Sequence, residues 1–139
     1  MVILDTNVIS ELFRPAPSAK VLQWFHELPK PLMHTTAVTI AEVFSGLESM
    51  PVGRRRSDLT QEAENLFAGD FQRRILAFDE AAARAYARIA AGRRAMGRPI
   101  GGMDGMIAAI AASRRAALAT RNTRDFDDCG LRLVNPWDD

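Results

Sequence analysis

The chain has 139 residues, a length that suits one domain with one core and is too short for two. Its composition, with 47% hydrophobic and 25% charged residues, is that of an ordinary globular protein and excludes disordered, collagen-like and disulfide-scaffold classes. The formal net charge is only +1, and the single cysteine, Cys129, excludes an internal disulfide.

Strand and helix signals alternate through the first half of the chain. The run Val2-Ile3-Leu4 is short and apolar, which is typical of a parallel strand buried on both faces. Four further elements are predicted in order: a helix at 6–13 ended by Pro15, a helix at 18–28 capped by Ser18, a strand at 32–35, and a helix capped by Thr36 that carries Ile40, Phe44 and Leu47.

The second half continues the alternation. In order, the sequence predicts a helix at 54–67 ended by Gly69 and Asp70, a strand at 75–78, a helix capped by Asp79 that stops at 97–99, a helix from Gly101 to Arg114, and strands at 117–120 and 131–134. Short apolar strands separated by helices predict an α/β protein: a three-layer α/β/α sandwich with a mostly parallel five-stranded sheet, formed by one domain over residues 1–139.

Four acidic residues lie close to predicted strand ends. Asp5 directly follows the first strand, and Glu42 lies in the early turns of the helix after the second, from which a long side chain reaches back over the strand ends. Asp104 lies near the start of its helix, and Asp125 follows the fourth strand. Because the ligand site of an open parallel sheet lies outside the carboxyl ends of its strands, we expect these acids to share one site.

A cluster of carboxylates needs a compensating cation, since each pair at 4 Å repels by roughly 1–4 kcal/mol. Lysine is scarce and no histidine lies in these segments, so the sequence predicts Mg²⁺, with Mn²⁺ as the alternative ion. Such a site favours the hydrolysis of phosphodiester bonds. Each acid taken alone also has a non-catalytic interpretation: a helix cap for Asp5, a solvated helix residue for Glu42, a partner of the helix dipole for Asp104, and a loop cap or arginine partner for Asp125.

Four blocks of the sequence resemble, in the same order, those of PIN-domain ribonucleases: VILDTNVISE at 2–11, TIAEV at 39–43, MDGMIAA at 103–109 and ATRNTRDF at 119–126. The ending VNPW at 134–137 resembles the FitB-like branch of the VapC toxins. The resemblance implies a magnesium-dependent endoribonuclease that is the toxin of a type II toxin–antitoxin pair. It further implies inhibition by a cognate antitoxin that inserts into the acidic site, a homodimer, and a larger hetero-oligomer with the antitoxin.

The family's first three acidic positions correspond to Asp5, Glu42 and Asp104, which the resemblance assigns to catalysis and metal binding. The fourth position departs from the common pattern: Asn122 stands where many members have an aspartate, and Asp125 carries the acid instead. With one negative charge fewer at Asn122, a second metal ion should bind less well, so the metal count stays open.

Three polar residues are predicted to support the acids. Thr6 and Thr120 would orient carboxylates or bound water by hydrogen bonds, although capping of strand ends is an equal alternative. Asn122 can offer a neutral carbonyl oxygen.

Two other functions compete with the nuclease. A catalytically impaired RNA- or antitoxin-binding module would explain Asn122 as lost catalysis. An aspartyl-phosphate phosphatase with Asp5 as its nucleophile is disfavoured because Asn7 stands where a second acid is needed.

All but two of the 18 basic residues are arginine, whose planar fork suits phosphate, although a GC-rich genome would give the same bias. The arginine clusters could contact RNA phosphates or form solvated faces; they are 54–56, 73–74, 93–94 and 114–115. No basic leader precedes a long apolar run, and no stretch approaches the ~18 apolar residues of a membrane span. We therefore expect a cytoplasmic protein without a membrane anchor.

Overall fold

The computed structural model describes residues 1–138 and contains one five-stranded, all-parallel sheet. The strands are β1 (Val2–Leu4), β2 (Met33–Thr36), β3 (Ile75–Leu76), β4 (Ala117–Ala119) and β5 (Leu133–Val134). Their spatial order is β3-β2-β1-β4-β5, so β1 pairs with both β2 and β4. The chain builds outward from β1 on one side and then crosses to β4 on the other. The carboxyl ends of β1 and β4 therefore flank the point at which the strand order reverses, where open α/β sheets bind their ligands.

Six helices connect the strands: α1 (Thr6–Glu11), α2 (Ala19–Glu27), α3 (Ala37–Glu48), α4 (Arg54–Ala68), α5 (Glu80–Ala95) and α6 (Gly102–Arg114). The three predicted helix caps are confirmed, since the side chains of Ser18, Thr36 and Asp79 accept backbone hydrogen bonds at the starts of α2, α3 and α5. Within residues 1–138, no helix is long and apolar enough to cross a bilayer.

The hydrophobic core lies on both faces of the sheet, as the predicted sandwich requires. On one face Ile3 and Leu118 pack with Ile107 and Ile110 of α6, all fully buried. On the opposite face the cluster contains Leu4 together with residues of α1, α2 and α4, among them Val8, Val21 and Phe67. Successive residues of β1 thus face opposite layers, which explains why the whole strand is apolar.

Helices α5 and α6 approach each other closely at Gly105. A Cβ atom added there would lie 2.8 Å from Cε2 of Tyr86, a separation too short for a real contact. Because Asp104 precedes Gly105 at the start of α6, this close approach fixes the acid-bearing end of α6 against α5.

Several predicted boundaries were wrong. Strand β3 ends at Leu76, not at residue 78, because its partner among the described strands, β2, ends at Thr36 opposite Leu76. Strand β2 starts one residue later than expected because Leu32 belongs to a 3-10 turn that contains Pro31. Helix α1 ends at residue 11 rather than 13, and β5 begins at 133 rather than 131. A second 3-10 turn, Thr123–Phe126, follows β4 and was not predicted.

Candidate active site

Asp5 lies at the centre of the site, where β1 ends and α1 begins. Its side chain is only 4% exposed. The Thr120 hydroxyl donates a hydrogen bond to Oδ2 of Asp5 at 2.8 Å, and the Thr6 backbone N–H donates to Oδ1 at 2.8 Å. The Asp5 backbone N–H donates to the carbonyl of Ala119 at 2.9 Å. The carboxylate is therefore fixed between the ends of β1 and β4.

Glu42 reaches the same place from α3. The Thr6 hydroxyl donates to Oε1 of Glu42 at 2.6 Å, which joins the start of α1 to α3. Thr6 Oγ1 also lies 3.1 Å from Oγ1 of Thr39, a buried residue whose backbone N–H donates to Thr36 Oγ1 at 3.0 Å. These threonines hold the Glu42 carboxylate beside the end of β1.

Asp104 and Asp125 complete an electrostatically coupled group of four acids. Burial, together with repulsion from Asp104 and Glu42, raises the pKa of Asp5 to about 6, even though the hydrogen bonds from Thr120 and Thr6 lower it. The pKa of Asp104 is raised first by burial and then by the charges of Asp125 and Glu42. Asp5, Glu42 and Asp104 thus lie within range of one another's charges, and Asp125 lies within range of Asp104. What each acid does stays a prediction.

The donor set of these acids suits magnesium. None of the four forms an ion pair within residues 1–138, so their mutual repulsion is not offset by a basic side chain there. In the same residues, no three acidic, His or Cys side chains are grouped closely enough to hold a metal ion by themselves. Mg²⁺ keeps several waters and takes one or two carboxylates directly, so it fits an open, oxygen-only site of this kind.

Asn7 is a residue that the sequence analysis missed as part of the site. Its Nδ2 donates to Thr120 Oγ1 at 3.2 Å and lies 3.4 Å from Oδ2 of Asp5, while its Oδ1 accepts from the Arg121 backbone N–H at 3.2 Å. It thereby links the first turn of α1 to the segment after β4. The sequence signal that could have identified Asn7 is its position two residues after Asp5, which directly follows β1.

Asn122 contributes backbone groups to the site. Its N–H donates to Thr120 Oγ1 at 3.1 Å, and its carbonyl accepts from the Asp125 N–H at 3.0 Å. The residue is otherwise exposed. The predicted role of its side-chain carbonyl as a ligand stays a prediction.

Arg121 lies at the rim of the acidic site. Its backbone is tied to Asn7, and its guanidinium carbon lies 5.0 Å from the centre of the Trp137 ring. A guanidinium stacked on an aromatic face keeps its in-plane N–H donors free for a phosphate. The sequence analysis had not singled out either residue as part of the site.

The profile of the PIN domain matches residues 2–130, which is nearly the whole chain. The chain belongs to the PIN-domain family. Three relatives place it in the VapC and FitB branch of that family. Plasmid stability protein StbB of Pseudomonas syringae pv. tomato and VapC ribonuclease Y4jK of Sinorhizobium fredii are each 39% identical over 99% of both chains. Toxin FitB of Neisseria gonorrhoeae is 37% identical over 100% of both chains.

Solved structures agree with this PIN-domain assignment. FitAcB from Neisseria gonorrhoeae superimposes with a TM-score of 0.92 and 36% identity over 99% of both chains. FitAB bound to the IR36 DNA fragment gives a TM-score of 0.93 and 36% identity over 99% of this chain and 96% of that one. VapBC-5 of Mycobacterium tuberculosis, from the VapBC family of toxin–antitoxin systems, gives 0.69 and 26% over 96% of each. The five-stranded parallel α/β fold predicted from the sequence is thereby confirmed.

Proposed function

We propose that this PIN-domain protein is a magnesium-dependent endoribonuclease and the toxin of a type II toxin–antitoxin pair. The observation that carries the proposal is that Asp5, Glu42 and Asp104 lie within range of one another's charges at the switch point of the sheet, with Asp125 beside Asp104. None of the four is ion-paired to a base within residues 1–138. The named activity of a 39% identical relative, a VapC ribonuclease, supports RNA as the substrate.

Asp5, Glu42 and Asp104 would hold Mg²⁺, one or two of them directly and the rest through its bound waters, with Mn²⁺ as the alternative ion. A bound divalent ion supplies a more acidic water and stabilises the charge that develops on the phosphate. The protein's part is to keep the carboxylates ionised and oriented. Thr120 and Thr6 do this by donating hydrogen bonds to the charged form of Asp5, which opposes the effect of burial.

Asp125 differs from the other three acids because its residue is exposed. An exposed carboxylate at the edge of the site is accessible to the attacking water and could accept its proton, as a general base does. Its backbone is fixed to Asn122, so Asn122 would support Asp125 through the main chain.

The cognate antitoxin would inhibit by covering this site. A groove of about 200 Å³ adjoins Glu42. It is lined by Ser10 of α1 and by apolar side chains of α3, α4 and the segment after α1: Phe13, Val43, Leu47 and Leu59. A partner segment with apolar side chains beside a basic one would match both the groove and the acids. We include a homodimer and a larger toxin–antitoxin hetero-oligomer in this proposal.

Asp104→Asn tests the metal part of the proposal. We expect calorimetric titration to show weaker Mg²⁺ binding than in the wild type, by about tenfold or more, because a charged oxygen ligand is lost. RNA cleavage at limiting Mg²⁺ should fall with it. Asp58→Asn, which removes the same charge from an exposed residue of α4, is the matched control and should match the wild type.

Equal Mg²⁺ affinity in wild type and Asp104→Asn would remove Asp104 from the metal site. A wild-type protein that binds RNA and antitoxin but does not cleave RNA with either Mg²⁺ or Mn²⁺ would favour the catalytically impaired binding module instead.

Arg121→Gln tests for a phosphate contact at the rim of the site. Binding of single-stranded RNA should weaken, and the slope of log affinity against log salt should become shallower by about 0.7, the value for one contact. The measurement uses Asp5→Asn as background to prevent cleavage. Arg132→Gln removes the same charge at the amino end of β5, the opposite edge of the sheet, and is expected to keep the slope. An unchanged slope with Arg121→Gln would contradict the contact.

A further inference from the structure

Arg93 is a buried cation with an unusual set of partners. It lies near the end of α5 and is only 5% exposed. Its Nε donates to the carbonyl of Arg98 at 2.8 Å, and its Nη1 donates to the carbonyls of Asp125 at 2.9 Å and Asp127 at 3.1 Å. Its Nη1 also lies 3.5 Å from Sγ of Cys129. The sequence-based choice between a phosphate contact and a solvated face was therefore wrong for Arg93.

The burial of this guanidinium is costly, so its position needs an explanation. Moving a charged group out of water costs on the order of several kcal/mol unless the group is fully hydrogen-bonded. Within residues 1–138, Arg93 has no carboxylate partner in an ion pair. Its charge instead strengthens hydrogen bonds to main-chain carbonyls. The buried guanidinium of Arg93 therefore holds main-chain segments in place.

The carbonyls that Arg93 binds belong to the two segments that carry Asp104 and Asp125. Arg98 lies in the connection that leads into α6, whose first turn contains Asp104. Asp125 and Asp127 lie in and directly after the 3-10 turn that follows β4. One planar guanidinium thus ties together two loops that are distant in sequence and that place two of the four acids.

A second tie joins the same two segments at the surface. The guanidinium of Arg98 donates from Nη2 to the carbonyl of Arg124 at 3.3 Å and from Nη1 to Oδ2 of Asp128 at 3.0 Å. These contacts are exposed and therefore weaker than the buried ones. Arg93 and Arg98 thus connect the same two segments, Arg93 in the interior and Arg98 at the surface.

We propose that Arg93 is a positioning residue that fixes the spacing of the Asp104 and Asp125 carboxylates through the main chain of the two loops. The inference rests on the proposed nuclease function, in which both acids take part. Arg93 itself touches neither the substrate nor the reacting atoms. Without its fork, the segment 123–127 loses the Nη1 donor to the carbonyls of Asp125 and Asp127 and can shift against α6.

Arg93→Lys tests this role, because lysine keeps the charge but cannot bind three carbonyls with a planar fork. We expect kcat for RNA cleavage to fall by roughly 10- to 100-fold, the scale of a displacement of about 1 Å at an active site, with KM nearly unchanged. Arg88→Lys, exposed on the same helix, is the matched control and should keep the wild-type kcat.

A double-mutant cycle separates positioning from general loss of structure. In an Asp125→Asn background, Arg93→Lys should lower kcat by less than about threefold, because the spacing between Asp104 and Asp125 that it fixes no longer matters once Asp125 is disabled. Equal losses in both backgrounds, or no loss in the wild-type background, would overturn the proposal. Arg98→Gln, whose side chain is exposed, covers the case in which Arg93→Lys fails to fold. It should lower kcat a few-fold, and that loss should likewise disappear in Asp125→Asn.

Amide hydrogen exchange gives a readout independent of activity. In Arg93→Lys, exchange should become faster at 122–128 and 98–101 and stay unchanged in β1 and β4. Unchanged exchange at those loops would overturn the proposal even if the wild type cleaves RNA. A wild type that does not cleave RNA would overturn the proposed function, and exchange would still decide whether Arg93 holds the loops.

Discussion

Asp5→Asn is expected to lower the rate of RNA cleavage by at least roughly 100- to 1,000-fold, a loss of the size found when a key electrostatic group is removed from an active site. Two effects combine. The substitution removes the negative charge from the centre of the acidic site. Its amide keeps only one acceptor oxygen, so it cannot accept both of the hydrogen bonds that the carboxylate receives from Thr6 and Thr120. The measurement is the initial rate on labelled RNA with Mg²⁺, accompanied by growth after induced expression.

The controls for Asp5→Asn are measurements of its fold and of its antitoxin binding. Circular dichroism and antitoxin binding should be retained, because asparagine occupies almost the same volume, while Asp58→Asn should cleave RNA like the wild type. Magnesium-dependent cleavage by purified Asp5→Asn at the wild-type rate would contradict the assignment of Asp5.

Sequence patterns predicted the elements that place the acids because those patterns are local. Apolar runs of three or four residues mark strands buried on both faces, and Ser18, Thr36 and Asp79 mark helix starts by the hydrogen bonds that their side chains accept. Once the sheet is parallel, strand ends must share an edge. The meeting of Asp5 and Glu42 was therefore predictable without knowledge of side-chain contacts.

The contacts around those acids could not be predicted because they depend on side-chain direction. Asn7 lies two residues after Asp5, and only the geometry of α1 turns its amide toward Thr120. Arg93 and Arg94 are neighbouring arginines that the sequence pattern does not distinguish, yet Arg93 is buried and Arg94 is exposed on the same helix. Helical rotation of about 100° between neighbours separates them, and the sequence does not say which one faces the loop after β4.

The same geometry makes the acidic site a source of instability in the metal-free protein. Asp5 is held between two strand ends, away from water and near other carboxylates, which favours its protonated form. The hydrogen bonds from Thr120 and Thr6 offset part of this effect without reversing it. The folded protein thus carries an energetically unfavourable negative charge at the position where the proposed function needs a cation.

The free energy of unfolding of the metal-free protein is expected to fall as pH rises from about 4 to about 6. The pKa of Asp5 is about 6 in the folded state against 3.8 in the unfolded chain, so unfolding releases a proton between these values and higher pH favours the unfolded state. The contribution of Asp5 is about 3 kcal/mol at most. Urea denaturation in EDTA at several pH values measures it.

Asp5→Asn and Mg²⁺ should each reduce this loss of stability, for different reasons. Asparagine carries no charge, so the variant should show a flatter pH dependence between 4 and 6. Mg²⁺ at ten times its Kd should stabilise the wild type at pH 7 by about 1.4 kcal/mol and Asp5→Asn by clearly less. An identical pH dependence in wild type and variant would show that the Asp5 carboxylate is not destabilised by its surroundings. Equal stabilisation of both proteins by Mg²⁺ would place the ion elsewhere.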